Sequence, residues 1–317
     1  MDLPDVTYGF VGIGQMGWGM AMNLRRKIPQ SSNLLICEMS QSRLDQFVQG
    51  ARLKGKIGIA GSPKELAEKA TIIITMLPKA AHVREVYTNS SSGFLGAGKQ
   101  PAPIHFFECS TIEVATSVEV SKAVSNLEMG TFIDAPVSGG PNGANAGSLT
   151  IMVGGSEEAF KFAEPILQFM GKNIFHCGPA GAGLATKQIN NYLSSVCTVG
   201  VCEAMNMGIK YGLDPKTLAG VINVSSGRCY NSLEQNPVKG VTAGAASETD
   251  FVGGFSVDLC KGVLEMAVGL AKNVGAQSIL NDRVLALYEK AVHDERTRGR
   301  DSRSVYRLFA DNDVALD

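Results

Sequence analysis

Three glycines in the run Gly9-Phe10-Val11-Gly12-Ile13-Gly14-Gln15-Met16-Gly17 have the spacing G-x-G-x-x-G. They follow an apolar stretch, Thr7 to Val11, and precede a helix-like run, Trp18 to Arg26. In such a strand–turn–helix, Gly12 permits the tight turn, Gly14 lets backbone approach a pyrophosphate, and Gly17 lets the helix pack on the strand. The free N–H groups and partial positive charge at the helix start, around Gln15 and Met16, suit phosphate. Glu38 ends a second apolar run, Asn33 to Cys37, 21 positions after Gly17. A carboxylate there accepts ribose hydroxyls and repels a 2′-phosphate, which favours NAD over NADP. The alternative for Glu38 is a surface acid closing a strand, and Arg43, five residues on, softens the cofactor preference.

A second set of residues suits proton transfer. Lys187 and Asn191 are four apart in an expected helix and share a face, flanked by small or apolar Gly183, Leu184, Ala185 and Leu193. A lysine in a dry cleft loses ammonium stability, and its pKa falls toward the range of a general base. Spacing alone favours the alternative, a surface lysine beside a helix-start amide. The run Asp134-Ala135-Pro136-Val137-Ser138-Gly139-Gly140 offers the Ser138 hydroxyl and the N–H groups of Gly139 and Gly140, a set suited to a small carboxylate. An ordinary glycine turn has the same composition.

The elements that must hold these residues alternate between strand and helix as far as about residue 178. After Glu38 comes a helix from about Gln41 to Gly50, then a polar connection through Lys54-Gly55-Lys56. Ser62-Pro63 reads as cap and first residue of a helix from Lys64 to Ala70. Thr71 to Leu77, ended by Pro78, is apolar on both faces and suits a central parallel strand. His105 to Glu108 is the next strand, and Ser110-Thr111 is expected to cap a helix from Glu113 to Leu127. Thr131–Asp134 and Leu149–Val153 are strands, Glu157–Met170 a helix and Asn173–Cys177 a last strand. The pattern predicts an α/β fold, a doubly wound Rossmann-type sheet over residues 1–182. From Gly183 no strand is evident: a long helix to Tyr211, closed by Gly212, leads into an all-helical domain, 183–317. Asp214-Pro215 starts one helix there, and others are expected at Asp258–Asn273, Ser278–Asp294 and Ser304–Phe309. Ligands of open α/β sheets sit beyond the strands' carboxyl ends, which brings in Leu77, Pro78 and Thr111.

Composition narrows the class. The 317 residues are 44% hydrophobic and 19% charged with net charge −1, enough for two cores and with no basic run for nucleic acid. The seven cysteines form no C-x-x-C pair and read as reduced, mostly buried thiols. The four histidines lack ligand spacing, so no metal site is expected. No run reaches the roughly 18 apolar residues of a membrane span. The acidic start, Met1 to Asp5, leaves no room for a targeting segment. A removed presequence would give the same picture, so the expected compartment is the mitochondrial matrix in that case and the cytoplasm otherwise.

Phe10 through Asn23 closely resembles the N-terminal signature of the β-hydroxyacid dehydrogenases. Asp134–Gly140 resembles that family's substrate loop, and Gly183–Asn191 its catalytic helix. The likeness runs over essentially the whole chain. In the helical half, Ser225-Ser226-Gly227-Arg228-Cys229-Tyr230 and Asn236–Val241 narrow it to the valine-breakdown branch. The resemblance implies oxidation of (S)-3-hydroxyisobutyrate with NAD, with Lys187 as general acid/base and Asn191 orienting it. Ser138, Gly139 and Gly140 would hold the carboxylate, and Leu77, Pro78 and Thr111 would line the cofactor cleft. Lys261 matches a family lysine near the cofactor, but Gly262 stands where the family usually has aspartate, and Asp258 is no obvious substitute. Extra residues around Arg52–Gly61 and Gly98–Pro103 read as surface loops. Family members associate through the helical half, so a homodimer or homotetramer is implied, with small residues Ser194, Ser195, Gly200, Ala204 and Gly208 permitting close helix contacts. Two alternatives are an NADPH-dependent reductase of tartronate, succinic or glyoxylic semialdehyde and a non-catalytic NAD-binding module.

Overall fold

A computed structural model describes residues 5–51 and 55–311. The acidic start, Met1–Pro4, and Arg52–Lys54 lie outside the described residues. The chain separates into two compact units, Met1–Lys187 and Gln188–Asp317.

Among the described residues the first unit is built on nine strands: β1 (Tyr8–Val11), β2 (Asn33–Cys37), β3 (Lys56–Ile59), β4 (Ile72–Thr75), β5 (Ile104–Glu108), β6 (Gly130–Asp134), β7 (Val137–Ser138), β8 (Leu149–Gly154) and β9 (Gly171–Gly178). Their order is β3-β2-β1-β4-β5-β6-β8-β7, with β9 on β8. β1 through β6 are parallel. The chain works outward from β1 to β3, then returns to the other side of β1 with β4. The reversal between β1 and β4 opens a crevice at their carboxyl ends, where such folds bind ligands.

Helices α1 (Gln15–Lys27), α2 (Gln41–Ala51), α3 (Pro63–Lys69), α4 (Ala80–Thr88), α5 (Val114–Asn126), α6 (Gly140–Ala146) and α7 (Glu157–Leu167) connect the strands. The strand residues split by parity. Phe10, Ile72, Ile74 and Phe107 join one core with Met20, Leu24, Phe47 and Ile166. Val11, Ile73, Ile104 and Phe106 join another with Leu66, Val83, Tyr87 and Val120. Ile72, Ile73 and Ile74 are therefore all buried, as a sheet covered on both faces requires. Ser62 caps α3, its hydroxyl accepting from Glu65 N at 3.1 Å, and Pro63 follows. Such a cap contributes about 1 kcal/mol.

Two sequence expectations need correction, and two features went unannounced. The polar connection at Lys56, and much of the expected loop at Arg52–Gly61, is the edge strand β3, which pairs with β2 from Asn33↔Lys56 to Ile36↔Ile59. An edge strand tolerates lysine and exposed side chains, so its pattern is faint. Helix α4 forms after Pro78 without a side-chain cap to announce it. Ser110-Thr111 does not cap α5, whose cap position is Glu113 with no side-chain bond; the Ser110 hydroxyl is engaged elsewhere. Finally, the sheet is not parallel throughout. β8 meets β6 antiparallel at Asp134↔Gly154, and β9 runs parallel to β8.

In the second unit, α8 (Ala182–Tyr211, begun in the first unit) continues and is followed by α9 (Pro215–Val224), α10 (Tyr230–Leu233), α11 (Val257–Asn273), α12 (Asn281–His293) and α13 (Tyr306–Ala310). Asp214 caps α9, accepting from Thr217 N at 2.8 Å. Cys202, Val257, Leu264, Leu287, Tyr288 and Leu308 form its core. The small residues of α8 are partly spent within this unit. A Cβ on Gly208 would lie 2.2 Å from Leu218 of α9, and Ser194 O accepts from Asn231 at 3.0 Å. All seven cysteines are free, but only Cys109, Cys202 and Cys260 are buried, fewer than the apolar flanks suggest.

Candidate active site

The glycine turn at the end of β1 is built as its spacing requires. Gly12 has φ +86°, and a Cβ there would stand 2.4 Å from Met76 O. A Cβ on Gly17 would stand 2.0 Å from Gly12 O, so α1 can sit this close to the turn only with glycine there. Gly14 is different. It occupies the cap position of α1 with no side-chain bond, and a Cβ would meet nothing within 4 Å. No protein atom calls for glycine at this position, whereas a phosphate approaching the first-turn N–H groups would. Gln15 is exposed and Met16 half-buried at the helix start.

Glu38, half-buried past the end of β2, is oriented by two backbone donors. Ile13 N bonds its Oε2 at 2.9 Å, and Ser40 N its Oε1 at 3.0 Å. Arg43 donates to Ile13 O at 3.2 Å, so both side chains bracket the glycine turn. Across the crevice, Leu77 N donates to the Ser110 hydroxyl at 2.7 Å, which couples the turns after β4 and β5. Thr111 is half-buried and Pro78 exposed beside them.

Asp134 closes β6 and is fully buried. Its carboxylate accepts Gly181 N at 2.6 Å and Leu184 N at 2.8 Å, so it caps the start of α8. Burial raises its pKa while the backbone donors of Gly181, Leu184 and Gly183 oppose the rise. Two glycines make room for it. A Cβ on Gly154 would come within 2.4 Å of its Oδ1, and one on Gly183 within 2.8 Å of its Oδ2 and 2.2 Å of Met152 O. One turn along α8 lies Lys187, 8% exposed and thus not on a solvated face. Burial lowers its ammonium to about 8, with no carboxylate among the described residues offsetting that effect. Asn191 follows one turn later, half-buried, its carbonyl accepting from Ser195 at 2.9 Å.

Ser138 ends β7, half-buried, and Gly139 and Gly140 turn the chain into α6 with φ of +130° and +63°. Both conformations favour glycine. The loop is anchored from behind by Asn23 of α1, whose amide donates to Gly19 O, Ala144 O and Asn145 O at 3.0, 2.8 and 3.1 Å. A Cβ on Gly19 would stand 2.7 Å from Ala144, so this approach also requires glycine. Asn23 and the Asp134 carboxylate escaped the sequence reading. The faint signals were Gly19 and Asn23 on one helical face, and an acid closing an apolar strand. In the second unit, Lys261 pairs with Glu289 at 2.7 Å and Glu265 at 3.5 Å. Arg228 is exposed, and a Cβ on Gly262 would meet nothing within 4 Å.

A switch-point crevice with this glycine turn, in a chain that continues into a second, helical unit, defines a dinucleotide-binding protein. A family model described as the NAD binding domain of 6-phosphogluconate dehydrogenase matches residues 7–178. A second, described as NAD-binding of NADP-dependent 3-hydroxyisobutyrate dehydrogenase, matches residues 181–309. A Dictyostelium discoideum protein named probable 3-hydroxyisobutyrate dehydrogenase, mitochondrial, is 41% identical over 89% of this chain and 84% of its own length. The Homo sapiens 3-hydroxyisobutyrate dehydrogenase, mitochondrial, is 38% identical over 88% and 80%. The solved Mycobacterium tuberculosis 3-hydroxyisobutyrate dehydrogenase with L-serine superposes with a TM-score of 0.83 at 32% identity, covering 96% of this chain and 99% of that one. The chain belongs to the 3-hydroxyisobutyrate dehydrogenase family.

Proposed function

We propose that the protein oxidises (S)-3-hydroxyisobutyrate to methylmalonate semialdehyde with NAD, a step of valine breakdown. The observation that carries this is Lys187: buried, brought down to about 8, and held one turn beyond a helix start that is capped by the substrate loop's own Asp134. The glycine turn fits the cofactor. Gly14 leaves its surroundings open, the start of α1 carries no side-chain cap, and Glu38 is preset by Ile13 and Ser40. Gly12, Gly14, Gln15, Met16, Gly17 and Glu38 would hold NAD, with Leu77, Pro78, Thr111 and Lys261 completing its surroundings. Bound there, NAD would supply the acceptor for the hydride of the hydroxyl-bearing carbon.

The protein's own part is binding and proton transfer. The Ser138 hydroxyl and the N–H groups of Gly139 and Gly140 take the substrate carboxylate, which fixes the alcohol's position. Lys187, as the neutral amine, takes the hydroxyl proton in oxidation and returns it in reduction. Asn191 orients Lys187 and the substrate. Following NADH absorbance with 3-hydroxyisobutyrate tests this directly. Turnover of L-serine or a semialdehyde in preference to it would displace the substrate assignment. The second reading, NADPH-dependent semialdehyde reduction, draws on Arg43. With Trp18, Ser40, Ser42 and Gln46 it lines a cavity of about 310 Å³. A panel run with both cofactors separates the two.

The same reading includes a homodimer or homotetramer formed through the helical unit. Exposed Ile189, Leu193, Met207 and Tyr211 on α8 support it. It also includes the mitochondrial matrix where a presequence has been removed, which the relatives' names support, and the cytoplasm otherwise; among the described residues no helix is long and apolar enough to cross a membrane.

A further inference from the structure

Glu108 closes β5 as Asp134 closes β6, and the two are register partners. It is fully buried, and no step of the proposed chemistry uses it. Its carboxyl lies in a chain of bonds. Thr75 Oγ1 donates to Oε2 at 2.5 Å, and Ser110 N donates to Oε1 at 2.7 Å. The Ser110 hydroxyl also bonds the carboxyl while accepting Leu77 N at 2.7 Å. Behind Thr75 stands the buried Tyr87 hydroxyl at 3.3 Å. The network therefore begins in α4, crosses the ends of β4 and β5, and terminates on the backbone of the turn at Leu77.

We infer that Glu108 is a positioning residue for the cofactor: acting through Ser110, it holds the turns at Leu77 and Thr111 as one ledge of the nucleotide crevice. This rests on the proposed placement of Leu77, Pro78 and Thr111 beside NAD. The ledge needs a hydrogen-bond acceptor and has no need of a negative charge. On the Ser110 side the donor is a backbone N–H, which cannot reverse, so Oε1 must always accept. On the Thr75 side both neighbours are hydroxyls, and the Thr75–Tyr87 bond runs in either direction. A proton on Oε2 is thus accommodated, with Thr75 turning to accept it. The groups facing the carboxyl agree. Asp134 on β6 and burial both favour the protonated form, against the donors of Ser110 and Thr75, and together bring it up to about 7. The other titratable neighbours, Tyr87 and Cys109, are pushed up and stay neutral.

Glutamine reproduces the protonated form, with its carbonyl to Ser110 and its amide to Thr75. Leucine keeps the bulk and removes the acceptor. We therefore measure kcat and KM for NAD, direct NADH binding and thermal melting for Glu108→Gln, Glu108→Leu and Ser110→Ala. Glu108→Gln is expected to stay within about threefold of the unaltered protein in KM for NAD. Glu108→Leu and Ser110→Ala should raise that KM about tenfold, the effect of one lost or orphaned bond at the ledge, with kcat at saturating NAD retained. Should Glu108→Leu fail to fold, Ser110→Ala carries the test, since it leaves the amide bond to Glu108 in place. Normal NAD affinity in Ser110→Ala, or a tenfold loss in Glu108→Gln, overturns the inference. Leu77→Gly and Thr111→Gly serve as controls for the reading beneath it. If they leave NAD affinity untouched, the ledge is not at the cofactor and that placement fails; if they weaken binding while Ser110→Ala does not, only the role of Glu108 fails.

Discussion

Replacing Lys187 by methionine should make the protein more stable and nearly inactive at once. Methionine keeps the length and apolar stem of lysine and removes the ammonium. In the folded protein burial brings that ammonium from 10.5 down to about 8. At ~1.36 kcal/mol per decade the gap corresponds to about 3 kcal/mol of desolvation cost at pH 7. The sign follows from the direction. Below pH 8 the folded chain holds a buried charge, and the cost is present in full. Between pH 8 and 10.5 the folded state has released the proton that the unfolded chain still binds, and the cost fades. Lys187→Met should therefore gain about 3 kcal/mol at pH 7, about 2 kcal/mol at pH 9 and nothing near 10.5. Urea unfolding across that range measures the gain. Turnover with 3-hydroxyisobutyrate should fall by about 10²–10⁴, as expected for a lost general base, while NADH still binds. In the unaltered enzyme, kcat/KM for oxidation should climb with pH and level off above about 8. A variant less stable at pH 7, or a difference that ignores pH, would refute the idea that the ammonium is desolvated.

Three further outcomes are expected. Glu38→Ala should raise KM for NAD far more than for NADP, as read from initial rates with each cofactor; equal sensitivity contradicts a ribose role. Gly14→Ala and Gly17→Ala should part ways. Only the second places a Cβ within 2.0 Å of backbone, so it should both destabilise the fold and abolish binding, whereas Gly14→Ala should melt normally and lose NAD affinity alone. Asp134→Ala strands the amides of Gly181 and Leu184 and should cost about 2–4 kcal/mol in urea unfolding. Preserved stability would show that α8 does not depend on this cap.

Local rules made much of the molecule legible in advance. The glycine turn is largely local: Gly17 lies against Gly12 O of its own loop and Gly12 takes φ +86°, although the close neighbour of Gly12 is Met76 O, beyond the end of β4. Ile72-Ile73-Ile74 predicted a strand buried on both faces, and Ser62-Pro63 and Asp214-Pro215 predicted helix starts, because caps and apolar runs act on immediate neighbours. β3 was missed because its stability comes from pairing with β2 and leaves little trace in its own composition. The expected Ser110-Thr111 cap failed for a related reason: that hydroxyl is claimed by Leu77, 33 residues away.

By itself, then, the sequence determined the kind of cofactor turn, the alternation of strand and helix and the face shared by Lys187 and Asn191, each of which depends on spacing along the chain. Tertiary structure alone decided that Lys187 is dry, that Asp134 seats the helix bearing it, and that Glu108 joins two turns across neighbouring strands. Desolvation and carboxylate capping are properties of what surrounds a group, and those surroundings come from residues tens of positions apart that only the folded sheet brings together.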